Sequence, residues 1–130
     1  MNKIEHDDEL ERFIRDWHHD KKSHSMAQQL GKLFFDFIYS LEDAELSRPT
    51  VIRHLDNCWA IGYLMSQYGY YKNYSSMLSS LEDGEPSFEY EYQRKFSDSN
   101  YARKSYASTW RKLAKFLNNH SANKCLQRTP

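Results

Sequence analysis

The sequence predicts an all-α protein: a helical bundle of four long helices plus one or two short helices, followed by a disordered C-terminal tail. Three observations carry this. Only four glycines and three prolines occur in 130 residues, so obligatory turns are few and long helices are favoured over many short strands. Apolar residues recur at i, i+3 and i+4 over most of the chain, the spacing that lines one side of a helix. The one stretch that alternates with period two, "FEYEY" at residues 88–92, has no second strand to pair with, and an isolated strand is not stable. A chain of this length buries a substantial core; residues 1–120 read as one helical domain and residues 121–130 as a flexible tail.

Asp7 or Asp8 caps the first helix, with Glu9 and Glu11 in its first turn, where carboxylates meet the positive end of the helix dipole. Leu10, Phe13, Ile14 and Trp17 form its apolar stripe, and Asp8–Arg12 and Glu11–Arg15 are acid-first pairs one turn apart. "HHDKKSHS" interrupts the pattern at residues 18–25. Ser23 or Ser25 opens a second helix to about Leu41. Met26, Leu30, Phe34, Phe37 and Leu41 form one stripe, widened by Leu33, Phe35 and Ile38, so this helix has neighbours on more than one side.

"EDAELSRP" is a connector, with Ser47 as a cap and Pro49 in the first turn of the third helix, about Thr50 to Tyr68. Val51, Ile52, Leu55, Cys58, Trp59, Ile61, Leu64 and Met65 cover most of its circumference. Gly62 costs about 1 kcal/mol against alanine in a helix, so among such large residues it is read as allowing a close approach. A short helix around Tyr74 to Leu81 closes at Asp83-Gly84. Phe88, Tyr92 and Phe96 also fit a helical period, so 88–96 reads as helix or irregular loop. Ser97 or Asp98 caps the last helix, which turns Ala102, Tyr106, Trp110, Leu113 and Leu117 inward.

Charge is segregated although the chain is neutral overall: net −5 over residues 1–46, −1 over 47–96 and +6 over 97–130. An acidic front and a basic back can complement each other within a fold, between subunits or with an external anion. The two cysteines, Cys58 and Cys125, form no dense framework, which points to a reducing cytoplasm without a structural disulfide. "MNKIEHDDELER" has neither the apolar core nor the cleavage site of a signal peptide, and no run approaches the ~18 apolar residues of a membrane span. A cytoplasmic protein with no membrane contact is expected.

The ending "NNHSANKCLQRTP" has no apolar period and reads as a mobile terminus. Within it, "ANKCLQRTP" (residues 122–130) resembles the translated recombination site found at the end of proteins encoded by integron gene cassettes. That resemblance implies a small, cytoplasmic, often oligomeric bacterial protein from a mobile array. It covers only these residues and carries over no fold and no catalytic residue.

The chemistry-bearing residues form no catalytic constellation. His18 and His19 lie at a helix C-terminus, where imidazole meets the dipole favourably. His54 and Asp56 are two residues apart and so point to different sides of a helix. There is no HExxH, no CxxC and no phosphate-cradling glycine loop, and Cys58 sits on the most apolar helix, where a thiol behaves as a small hydrophobe. Neither metal nor cofactor is expected. Two surfaces remain. Tyr63, Tyr68, Tyr70, Tyr71 and Tyr74 place five phenols within twelve residues, either as an interface or ligand rim or as a second aromatic core packed on Phe88, Tyr90, Tyr92 and Phe96. Arg103, Lys104, Arg111, Lys112 and Lys115 form a basic stripe on the last helix, able to meet an anion or nucleic acid, although the neutral chain argues against nucleic acid.

The sequence therefore suggests a non-enzymatic α-helical binding or interaction protein, homo-oligomeric or paired with another protein, with a small ligand as a further option. The alternatives are a small enzyme whose site is assembled from scattered polar residues, and a nucleic-acid-binding or antitoxin-like regulator using the last helix.

Overall fold

The computed structural model describes residues 6–17, 21–68 and 74–128, and these hold six helices and no strand. In chain order they are α1 (His6–Trp17), α2 (Lys21–Asp43), α3 (Arg48–Tyr68), α4 (Tyr74–Asp83), α5 (Glu89–Lys95) and α6 (Asn100–Arg128). The all-α class is observed, with α2, α3 and α6 the long helices at 23, 21 and 29 residues and α1 shorter at 12. The chain gathers into two compact units, residues 1–74 and 75–130. No Pro- or Gly-rich linker marks that boundary, which is why residues 1–120 read from the sequence as one domain.

In the first unit, α1, α2 and α3 pack against one another. Phe13, Trp17, Leu30, Phe34, Phe37, Ile38, Ile61 and Leu64 are its fully buried large side chains, and each lies on a stripe that the helical spacing predicts. Their rings meet tilted or edge-on: Phe13 lies 5.2 Å from both Trp17 and Phe35, and Trp17 lies 6.0 Å from Phe34. Such geometries set the positive edge of one ring against the negative face of another. A buried indole N–H needs an acceptor, and Trp17 Nε1 donates to the Trp59 carbonyl at 3.0 Å. Trp59 Nε1 in turn donates to Asp16 Oδ2 at 3.0 Å. Neighbouring residues of α1 thus bind one residue of α3 in both directions.

Serine and backbone geometry set the ends of these helices. Ser47 caps α3 as predicted, its Oγ accepting from the Thr50 amide at 3.4 Å. The C-terminus of α2 ends in a Schellman motif, with Leu46 N–H bonded to Leu41 O at 3.3 Å and Glu45 N–H to Glu42 O at 3.0 Å. The left-handed position that glycine usually takes in this motif is held by Glu45 at φ 60°. Arg12 bonds Glu9 at 2.6 Å, one turn back, where the sequence suggested Asp8.

In the second unit, α4 and α5 are tied to α6. Tyr106 stacks on Tyr92 with ring centroids 4.2 Å apart, and its hydroxyl donates to the Ser87 carbonyl at 2.6 Å. Asn118 Nδ2 donates to the Glu82 carbonyl at 3.3 Å. Tyr106, Trp110, Leu113 and Leu117 are buried with Leu81 and Tyr92, matching the inward stripe, whereas Ala102 is only half-buried. Gly84 ends α4 at φ 77°, a left-handed conformation that glycine adopts without a Cβ clash.

α1 and α2 begin at His6 and Lys21, ahead of the Asp7 or Asp8 and the Ser23 or Ser25 expected to open them. Residues 89–95 are helical, which settles the "FEYEY" stretch. The cap of α6 is Ser99, whose Oγ accepts from the Ala102 amide at 3.1 Å; Ser97 instead accepts from the Ser99 amide at 3.3 Å. Ser97, Asp98 and Ser99 are all capping types, so residue type alone cannot choose among them. Finally, α6 continues to Arg128, where a disordered, flexible tail was expected from residue 121. No glycine or proline interrupts residues 100–129, and Ala, Lys, Leu, Gln and Arg all favour helix, so a helix already running has nothing to stop it before Pro130. The absence of an apolar stripe argues against burial, not against helicity.

Candidate functional site

The segment most distinctive in its chemistry is α6. It contains seven Lys and Arg residues and no Asp or Glu over its full span from Asn100 to Arg128. At about 100° per residue, Arg103, Lys104, Arg111, Lys112 and Lys115 fall within one half of the wheel. Tyr106, Thr109, Trp110, Leu113 and Leu117 fall on the other. Burial follows this division: all five cations are exposed and all five inward residues are buried. Among the described residues, none of the five cations has an ion-pair partner. The five cations predicted from spacing to form a basic stripe thus all lie on the exposed side of α6.

Such a face is unusual because helices normally intersperse charges of both signs along a solvated side. Five like charges over about three turns repel one another, and solvent or an anion relieves that repulsion. Tyr101, 72% exposed, stands three residues before Lys104 and clear of the inward stripe. On α5, Tyr90 is 70% exposed and carries the Arg94 guanidinium 5.9 Å above its ring. Tyr101 carries no site expectation from the sequence, and Tyr90, expected as part of a second aromatic core, is instead exposed. Their signal was available in the wheel position of Tyr101 and in the Arg four residues after Tyr90.

The tyrosines singled out around the end of α3 are placed differently. Tyr63 is half-buried and stacks on Trp59, with centroids 5.3 Å apart and planes 17° apart. Tyr68 is half-buried as the last residue of α3. Tyr70 and Tyr71 lie outside the described residues, and Tyr74 opens α4 with its side chain also outside them.

The reactive groups of α3 are turned inward. Cys58 is a free, fully buried thiol, and burial pushes its pKa far above the ordinary value, so the nucleophilic thiolate is suppressed. His54 is fully buried against Phe37 while Asp56 is exposed, the opposite pointing that a two-residue spacing imposes. Desolvation raises the Asp56 carboxyl above its ordinary range, with Arg12 opposing the shift. Among the described residues, no three His, Cys, Asp or Glu side chains gather as a metal site, and no helix is long and apolar enough to cross a membrane.

No family model, curated protein or solved structure matches the chain.

Proposed function

We propose that the protein is a non-enzymatic α-helical binding protein that meets an anionic partner through the outer face of α6. The supporting observation is the acid-free helix with five exposed cations that have no ion pair among the described residues. Retention on a heparin matrix at low ionic strength tests it. The wild type should be retained and released by salt, because exposed charges are screened as the Debye length shortens. An Arg111→Glu, Lys115→Glu variant should elute much earlier. Equal elution of the two proteins would remove the basis for this reading.

A second reading, self-association, draws support from the first unit. Asp36, Asp43 and Glu45 are exposed near the C-terminal end of α2, where acids oppose the helix dipole. No Lys or Arg occurs between Lys32 and Arg48. That acidic corner is complementary to the α6 face of a second copy. Light scattering decides the matter, since a monomer of 15.6 kDa at every salt concentration excludes it. The resemblance of residues 122–130 to a translated cassette recombination site adds the proposal of a bacterial, cytoplasmic setting.

A further inference from the structure

We infer that the anionic partner of α6 is a single-stranded nucleic acid, held by its phosphates on the basic face and by a base stacked on Tyr101. This inference rests on the reading of α6 as the binding face and assigns the partner's chemistry. From Tyr101 to Lys115 the helix rises about 21 Å at ~1.5 Å per residue. That length matches roughly six nucleotides at ~3.4 Å each. Along it, cations recur at Arg103 and Lys104, at Arg111 and Lys112, and at Lys115, with the small residues Ala107 and Ser108 on the same side of the helix between the first two pairs and no carboxylate on α6 to repel a phosphate chain.

The tyrosine distinguishes a nucleic acid from an acidic protein segment. A carboxylate-rich chain is satisfied by the cations alone and has no use for a bare phenol at the end of the stripe. A single strand exposes its bases, and sequence-tolerant binding combines a basic track with aromatic faces on which bases stack. Tyr101 is the residue of α6 that offers such a face, at 72% exposure. A duplex keeps its bases stacked internally and would leave that ring unused. Neutrality of the whole chain does not argue against this, because electrostatic attraction to phosphate is set by the field over about a Debye length, ~10 Å, and α6 itself carries no Asp or Glu.

The test is fluorescence anisotropy of the full chain with a labelled oligodeoxythymidine of about 15 nucleotides, repeated with a duplex and with polyglutamate of equal charge. The expected result is binding to the single strand with a log–log salt slope near −3.5 for five phosphate contacts, falling to about −2 in Arg111→Ala, Lys115→Ala. Tyr101→Ala should lose roughly tenfold in affinity, and Tyr101→Trp should retain it. If polyglutamate or the duplex binds as tightly and Tyr101→Ala is silent, the single-strand assignment is overturned while α6 remains an anion-binding face. If none of the three probes binds at low salt, both the assignment and the proposed function fall.

Discussion

The indole of Trp17 packs so closely on Gly62 that a β-carbon at position 62 would clash with the Cζ2, Cη2 and Cε2 atoms of the ring. The glycine on α3 is therefore a seat for the largest buried side chain of α1. The Trp17 N–H reaches the carbonyl of Trp59, three residues earlier on the same helix. Ring and hydrogen bond together hold α1 at one height along α3.

Replacing Gly62 with alanine tests this seat. Helix propensity favours alanine by about 1 kcal/mol, but displacing a packed indole typically costs about 1–3 kcal/mol and also strains the Trp17–Trp59 hydrogen bond. Gly62→Ala should lower the melting temperature, and Trp17→Phe combined with it should be more stable than the two single effects added together. A Gly62→Ala protein as stable as the wild type would show that the ring does not depend on the missing side chain.

Glu45 offers the opposite case. A non-glycine residue in the left-handed region costs roughly 1–2 kcal/mol, and a carboxylate at a helix C-terminus opposes the dipole. Glu45→Gly should raise stability by about 1 kcal/mol after the entropy of glycine in the unfolded chain is discounted. Chemical denaturation at neutral pH is the appropriate measurement, and an unchanged or lower midpoint contradicts the prediction.

Tyr106 joins three parts of the second unit through its stack on Tyr92 and its bond to Ser87. Tyr106→Phe should cost about 1–3 kcal/mol, because the Ser87 carbonyl loses its donor. Burial, with smaller contributions from Tyr92, Glu89 and Glu91, holds the Tyr106 phenol well above its ordinary value near 10. A folded pKa above the unfolded one gives stability that is complete below the unfolded value and is lost as pH climbs past it. The wild type should thus lose stability more steeply above pH ~10 than Tyr106→Phe does. Parallel alkaline limbs for the two proteins would contradict the assignment.

Asp56 carries the same sign in the acid range. Its carboxyl is raised by desolvation, with Arg12 only partly offsetting this, so ionised Asp56 is a small liability at neutral pH and none below its unfolded value of 3.8. Asp56→Asn should be slightly more stable than the wild type at pH 7, with the gap closing as acid protonates the native carboxyl. A gap that widens on acidification would mean that Asp56 is stabilised as an anion.

Removal of Ala122 to Pro130 should leave the melting temperature unchanged. The helical backbone of α6 runs through this segment to Arg128, yet the sequence supplies no apolar stripe to offset about 1–2 kcal/mol of backbone ordering per residue. A drop of more than ~4 °C, about what 1 kcal/mol does in a domain of this size, would show docking, with Leu126 the residue to examine.

The helical elements were legible because each has its own local signal. Leu30, Phe34, Phe37 and Leu41 announce α2 by spacing, Ser47 announces the start of α3, and Asp83-Gly84 announces the end of α4. Even the five cations of α6 and the absence of acids around them could be placed on one side by counting. Local signals failed where they promise too much or too little: three adjacent capping residues precede α6, and the polar segment from Asn118 to Thr129 contains no glycine or proline to stop a helix. Tertiary structure decided what spacing cannot encode. Only packing shows that Gly62 faces the Trp17 ring, that Tyr63 lies on Trp59 while Tyr101 stays bare, and that the α6 cations have no ion pair among the described residues. The reason is physical. A helix forms from interactions within about four residues, which a sequence displays directly, whereas a partner across the fold is fixed by shape and by the geometry of both surfaces at once.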